Sequence, residues 1–392
     1  MTFRKILFWM HLPAGLIAGA IVMIMCVTGV LLTYERQMVA WADRGYWSEP
    51  PSASATRMPL EALLARTRES LHSLPTTVTI RADRTAPVEA AFGRERTVYV
   101  NTYTGEVLGE GSKTTKAFFR SVTDWHRWLA TNGPGRPTGR AITGASNLLF
   151  LFLVMSGLYL WLPRKWAIQN LKPILFFRGG LSGRPMNFNW HNVFGFWACV
   201  PLFFIVITGV IMSYPWANNL LYRMTGSEPP QQTGRAPEGQ RAGGGSPEDP
   251  SLEGFDKLWA VAETQMPGWK SISLRVPNSE RGPVTFSIDR GNGGQPEKRA
   301  QLTLNRRTAE VVRWETFDSF NLGRRLRGWG RFVHTGEAGG VIGQTIAGLA
   351  SGAGAFLVWT GVSLSLNRFL AWRKRRRSNS ATAREAEVAE AR

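Results

Sequence analysis

The sequence predicts an α-helical membrane protein with four transmembrane helices in two parallel repeats, carrying two small α+β modules outside the membrane. Three observations predict it. Four long stretches, 12–34, 141–163, 186–221 and 338–367, carry no charge. Lysine and arginine crowd the short segments on one side of those stretches. Motifs of the first half recur in the second at fixed spacing.

Each apolar stretch contains the roughly 20 residues that cross about 30 Å of hydrocarbon at about 1.5 Å per residue. The first span is taken as 1–34. Its apolar run is longer than a signal-peptide core and meets Tyr34-Glu35-Arg36 without a small-residue cleavage pattern, so it reads as an uncleaved anchor. A first module follows over 35–140, the second span over 141–163 and a basic loop over 164–185. The third span covers 186–213 and a linker 214–250, of which 228–250 is rich in Gly, Pro, Gln and charge. The second module occupies 251–337, the fourth span 338–367 and a basic tail 368–392.

Orientation follows from the short segments. Arg4 and Lys5 precede the first span; Arg164, Lys165, Lys172, Arg178 and Arg184 fill the loop after the second; Arg368, Arg373, Lys374 and Arg375 to Arg377 follow the fourth. These lie on one side, which predicts both termini in the cytoplasm and both modules in the periplasm of a bacterial inner membrane. Topology thereby accounts for most of the net charge of +19, and no nucleic-acid partner is expected; membrane lipid is. Cys26 and Cys199 both fall in spans, so no disulfide framework serves the modules.

The repeat is visible residue by residue. His11, Thr28, Gly29, Val30 and Tyr34 reappear as His191, Thr208, Gly209, Val210 and Tyr214, an offset of 180. Gly139, Ile142, Gly144, Gly157 and Leu160 reappear as Gly343, Ile346, Gly348, Gly361 and Leu364, an offset of 204. The modules match through Asn101, Thr104, Glu106 and Val107 against Asn305, Thr308, Glu310 and Val311. Each is expected to hold one helix (60–71; 252–265) and three strands (78–81, 88–92 and 97–101; 271–276, 284–288 and 301–304).

These residues carry a resemblance. The His-initiated spans with Thr-Gly-Val, the Tyr103-Thr104-Gly105-Glu106-Val107 turn, Trp125-His126, Ser156-Gly157-Leu158-Tyr159-Leu160-Trp161, His334-Thr335-Gly336 and Thr360-Gly361 resemble the PepSY-associated transmembrane proteins of bacterial inner membranes over nearly the whole chain. The modules are thus expected to be PepSY-like. The second departs from the pattern, with Ala309 at the turn glycine. The family includes haem-containing reductases of iron–siderophore complexes, so the resemblance implies a ferric-siderophore or other ferric-chelate reductase.

Five histidines occur, and His72 alone lies outside the repeats, an ordinary surface residue. The other four stand at the heads of spans, His11 and His191 toward the cytoplasm, His126 and His334 at the periplasmic edge. Ionisable groups at membrane depth are costly and usually functional. One pair in each leaflet fits bis-imidazole ligation of haem iron, built between facing helices. Two haems b are expected, non-covalent because no Cys-x-x-Cys-His occurs. Gly15, Gly19, Gly195, Gly144 and Gly348 would admit a flat macrocycle, or serve close helix packing; Arg127, Arg140 and Arg331 would pair with propionates, or anchor at the interface. Zinc or copper is the rival reading; structural zinc wants four ligands in one tetrahedron, and this topology offers two at each face. Interfacial histidines with no cofactor stay open.

No dinucleotide fingerprint, Walker loop or nucleophile elbow occurs, so the electron donor is a membrane quinol or a separate redox protein. Arg120, Arg127, Arg324, Arg325, Arg327 and Arg331 cluster by sequence where the second and fourth spans begin, which would favour an anionic acceptor or equally serve as membrane-surface anchoring. The alternative is a PepSY-type sensor or regulatory membrane protein without redox activity. A transporter also has parallel repeats, but no Asp or Glu lies within the spans.

Overall fold

The structure is a computed structural model describing residues 2–93, 96–163, 167–229, 251–277 and 282–390. Arg164, Lys165, most of the 214–250 linker and the side chain of Arg377 lie outside the described residues. The helices of the first half are α1 (Phe3–Leu32), α2 (Glu35–Ala42), α3 (Leu60–Leu71), α4 (Lys113–Trp128), α5 (Arg136–Trp161) and α6 (Ile168–Leu175). Those of the second are α7 (Gly183–Ser213), α8 (Pro215–Met224), α9 (Phe255–Gln265), α10 (Leu322–His334) and α11 (Gly340–Glu390). The chain divides into two units: Met1–Thr33, Arg120–Ala217 and Val333–Arg392 in one, Tyr34–Phe119 and Asn218–Phe332 in the other.

The first unit is a four-helix bundle. Among the described residues, four segments are long and apolar enough to cross a membrane: Phe3–Leu32, Gly133–Trp161, Gly183–Ser213 and Glu337–Arg376. The main contacts run α1 to α5, α5 to α7, α7 to α11 and α11 back to α1, so α1 and α7 stand on a diagonal. Pro13 and Pro201 lie inside α1 and α7, which continue through them. Small residues let the helices close: Ala18, Ala198, Ala350 and Ala353 are buried, and Phe150 packs against both mid-bundle clusters. Asn189 on α7 donates to the carbonyls of Pro173 and Phe176 (2.6 and 3.1 Å) and accepts from the Arg178 amide, which pins α6.

His126 and His334 correct the sequence reading. Neither heads a span; His126 lies on α4 and His334 ends α10. Leu129 and Ala130 take φ of 52° and 56°, and Gly336 takes 74°. These left-handed residues stop each short helix before the span begins.

The second unit joins both modules in one antiparallel sheet. Strands β1 (Thr77–Arg81), β2 (Val88–Phe92), β3 (Arg96–Val100) and β4 (Val107–Gly109) come from the first; β5 (Ser271–Arg275), β6 (Val284–Asp289), β7 (Arg299–Leu304) and β8 (Val311–Thr316) come from the second. Their order is β4-β3-β2-β1-β5-β6-β7-β8, and β1 meets β5 with Val78 opposite Leu274 and Ile80 opposite Ile272. Each module has a fourth, edge strand beyond the three expected. Alternate residues point to one face, where Val78, Leu274, Phe286 and Leu302 are fully buried with Leu64 of α3 and Leu258 of α9. The two helices cap each other: the Glu61 amide donates to Asp256 Oδ1 (3.0 Å), and the Asp256 amide to Glu61 Oε1 (3.2 Å). His72 is exposed and ends α3 in the left-handed region, φ 54°.

Ala309 does not change the turn geometry. Gly105 has φ 71° and Ala309 62°. Their amides donate to the carbonyls of Asn101 and Asn305 at 2.9 and 3.0 Å. Both asparagine side chains accept from the two amides inside their loops.

Candidate functional site

All four repeat histidines belong to the bundle unit. On α1, His11 and Thr28 stand 17 residues apart, about 25 Å along a helix. On α7, His191 and Thr208 have the same separation. At one end of the bundle, His11 Nδ1 lies 2.8 Å from Ser156 Oγ on α5, and His191 Nδ1 lies 2.8 Å from Thr360 Oγ1 on α11. At the other end, His126 Nδ1 lies 2.9 Å from Thr28 Oγ1. His334 Nδ1 lies 2.8 Å from the Ile205 carbonyl and 3.4 Å from Thr208 Oγ1. Each diagonal helix thus carries one histidine and one hydroxyl that meets another histidine.

Glycines give the rings their room. A Cβ on Gly157 would stand 3.4 Å from His11 Cε1, one on Gly361 3.5 Å from His191 Cε1, and one on Gly29 3.6 Å from His126 Cε1. Gly15, Gly19 and Gly195 line a cavity. Gly144 and Gly348 instead pack against Tyr214 and Thr33.

His11 and His191 both border that cavity, of about 1250 Å³. Its middle walls are aliphatic and aromatic, and Arg4, Lys5, Arg184 and Arg368 border it as well. Arg4 also donates to the Leu160 and Leu162 carbonyls at the end of α5. The Arg368 guanidinium lies 5.0 Å from the ring centres of Phe8 and Trp9. None of the four was singled out from sequence as a cofactor partner; their place in the orientation argument hid them.

The rings of His126 and His334 lie 6.3 Å apart, centre to centre, with planes at 68°. A metal bonded by one nitrogen of each ring, at about 2 Å per bond, holds imidazole centres about 6 Å apart. The spacing therefore fits one iron between them. Desolvation, and then His334 beside it, pushes the His126 imidazole down to about 4, although part of the residue stays accessible. Desolvation also lowers His334. Neutral rings are what a metal requires. Among the described residues no group of three or more His, Cys, Asp or Glu comes together.

The expected propionate partners are placed unevenly. Arg140 reaches the Met212 and Ser213 carbonyls at 3.4 and 3.3 Å, capping the end of α7. The Arg127 guanidinium lies 4.6 Å from the Trp128 ring centre. Arg331 belongs to the sheet unit, 5.8 Å from the Phe332 ring centre. Of the other clustered arginines, Arg324 pairs with Glu315 (2.9 Å), Arg325 donates to the Phe320 and Asp318 carbonyls, and Arg327 to Asn218 (3.0 Å).

Among curated proteins, none is similar enough in sequence to count as a relative. A model of one family, the PepSY-associated TM region, matches residues 8–368. That match takes in four apolar helices, the eight-stranded sheet and the four histidines at 11, 126, 191 and 334, and the chain belongs to the family of the PepSY-associated TM region.

Proposed function

We propose that the protein is a di-haem b reductase of the bacterial inner membrane, passing electrons across it to a periplasmic ferric siderophore or similar ferric chelate and releasing Fe(II). The observation that carries this reading is the 6.3 Å spacing of the His126 and His334 rings; His11 and His191 on one cavity support a second site. The matching offsets of 180 and 204 support a duplicated chain with both pairs built alike. The Lys/Arg asymmetry supports a cytoplasmic His11/His191 pair and periplasmic modules.

A haem b in each pair would supply a one-electron ferric/ferrous couple. The chain's own residues do the rest. His11 with His191, and His126 with His334, hold and orient the two groups. Glycines 29, 157 and 361 leave space beside the rings. Phe150, Leu202 and the buried alanines place apolar side chains in the mid-bundle between the pairs, Phe150 and Leu202 lining the cavity as well. Arg4, Lys5, Arg184 and Arg368 place positive charge on the first cavity, where propionates would be stabilised. Each electron delivered by a quinol or a reduced redox protein reduces one Fe(III) to Fe(II), and oxygen-donor chelators hold Fe(II) less tightly.

The test mixes dithionite-reduced protein anaerobically with ferric siderophores and an Fe(II) trap. Haem reoxidation with stoichiometric Fe(II) capture is expected. Haems that stay reduced against every chelate remove the reductase reading, and a colourless protein leaves the sensory one.

A further inference from the structure

We infer that Ser156, Thr360 and Thr28 are positioning residues which, with the Ile205 carbonyl at His334, fix all four imidazoles in the tautomer carrying its proton on Nδ1, leaving the lone pair on Nε2.

Proton counting carries the inference. A hydroxyl has one proton to give, and a carbonyl oxygen has none. Each of the four hydroxyls lies 2.6–2.7 Å from the carbonyl four residues earlier: Thr28 on Ile24, Ser156 on Phe152, Thr208 on Phe204 and Thr360 on Phe356. Two acceptor oxygens do not approach so closely without a proton between them, so the hydroxyl proton is committed to the helix. The hydroxyl oxygen can then only accept. At 2.8, 2.8 and 2.9 Å, the Nδ1 atoms of His11, His191 and His126 must be its donors. His334 reaches the same tautomer by another route, because its Nδ1 stands 2.8 Å from the Ile205 carbonyl, an acceptor only, with Thr208 at 3.4 Å.

The consequence rests on the di-haem reading; the tautomer does not. A ring donating from Nδ1 is held in one orientation and made a more basic ligand through Nε2, and losing such a partner costs about 10–100-fold in metal affinity.

The experiment uses the full chain in detergent, with Ser156→Ala, Thr360→Val and Thr28→Val beside the conservative Ser156→Thr, Thr360→Ser and Thr28→Ser. Histidine ¹⁵N shifts of protein produced without haem read the tautomer. Haem dissociation and midpoint potential are read on haem-replete protein. The expected result is the Nδ1–H form at positions 11, 126, 191 and 334. Haem retention should fall about 10–100-fold at the affected pair in the Ala and Val variants, and the potential of that pair should move with it. The Ser/Thr exchanges should restore both. The Nε2–H form in the unmodified chain, or Ala and Val variants matching it in retention and potential, overturns the inference. If the purified chain takes up no haem when haem is supplied, the di-haem reading fails while the ¹⁵N shifts still decide the tautomer.

Discussion

The two halves of the chain solve the same local problems with residues that are not always the same. In the first half His11 meets a serine, in the second His191 meets a threonine, both at 2.8 Å. Thr28 holds His126 directly, whereas His334 leans on the Ile205 carbonyl and keeps Thr208 at 3.4 Å. Gly105 turns one edge hairpin and Ala309 the other. What both halves keep is an acceptor at each imidazole Nδ1 and a left-handed residue at each turn. What they exchange is the group supplying it. The comparison separates a geometric requirement from a residue preference, and substitutions can press on each.

The histidine pairs are expected to give the largest effect. His11→Ala or His191→Ala should remove about one haem per chain and leave the second spectrum intact; His126→Ala or His334→Ala should do the reverse. Absorbance of the purified variants measures it. Loss of both haems from any single substitution in a folded chain would mean the ends are not independent. His72→Ala should change nothing, because that residue is exposed and far in sequence from both pairs.

A buried network in the sheet unit is the next largest. Asp43, 3% exposed, accepts from the Ser112 amide (2.6 Å) and the Tyr99 hydroxyl (2.7 Å) and pairs with Lys116 at 3.1 Å. Tyr46 stacks on Tyr99 at 5.1 Å. The position 180 residues on is Arg223, so the second half does not copy this carboxylate. Asp43→Ala strands several donors and should cost about 3 kcal/mol, read from denaturant unfolding of the full chain by tryptophan fluorescence. Desolvation pushes the Asp43 carboxyl up, but the bonds from Ser112, Tyr99 and Lys116 outweigh it and hold the group below 3.8. A depressed carboxylate contributes fully above its unfolded value and loses that contribution as pH falls through the folded one. The stability gap between the parent chain and Asp43→Asn should therefore be flat above about pH 5 and shrink below pH 4. A gap that widens in acid would reverse the assignment.

Sequence legibility follows the range of the interaction. Helix α3 has the expected bounds, 60–71, because its apolar spacing is local. The spans were legible from length and charge alone. The single sheet was not: β1 and β5 are joined across nearly 200 residues, and an alternating pattern looks alike at an edge or a centre. The edge strands β4 and β8 have no fully buried residue, so no apolar alternation announced them. The histidines were found, but not the helices that carry two of them, since Leu129 and Ala130 are not residues that advertise a left-handed stop. Ser156 and Thr360 precede Gly157 and Gly361 at the shared offset of 204. Their role was hidden because a small hydroxyl residue in a span reads as packing.

The hairpin turns give the smallest effect, and here reciprocal substitutions should not give reciprocal results. At Gly105, φ is 71° and an added Cβ would stand 2.8 Å from Arg66 Cδ and 3.0 Å from Met58 Sδ. Gly105→Ala therefore adds left-handed strain of about 1–2 kcal/mol to a steric clash, and should cost about 2 kcal/mol or more. Ala309 already bears that strain at φ 62°, and its methyl is buried, the residue being 8% exposed. Ala309→Gly relieves about 1–2 kcal/mol. It gives back about 0.8 kcal/mol of methyl burial and about 0.5–1 kcal/mol of backbone entropy. The contributions nearly cancel, so the substitution should lie within about 0.5 kcal/mol of neutral. Denaturant midpoints of the two variants decide the matter. A large gain from Ala309→Gly would mean the second turn is held under strain by its surroundings, and a neutral Gly105→Ala would mean that Arg66 and Met58 move aside and the two turns are interchangeable after all.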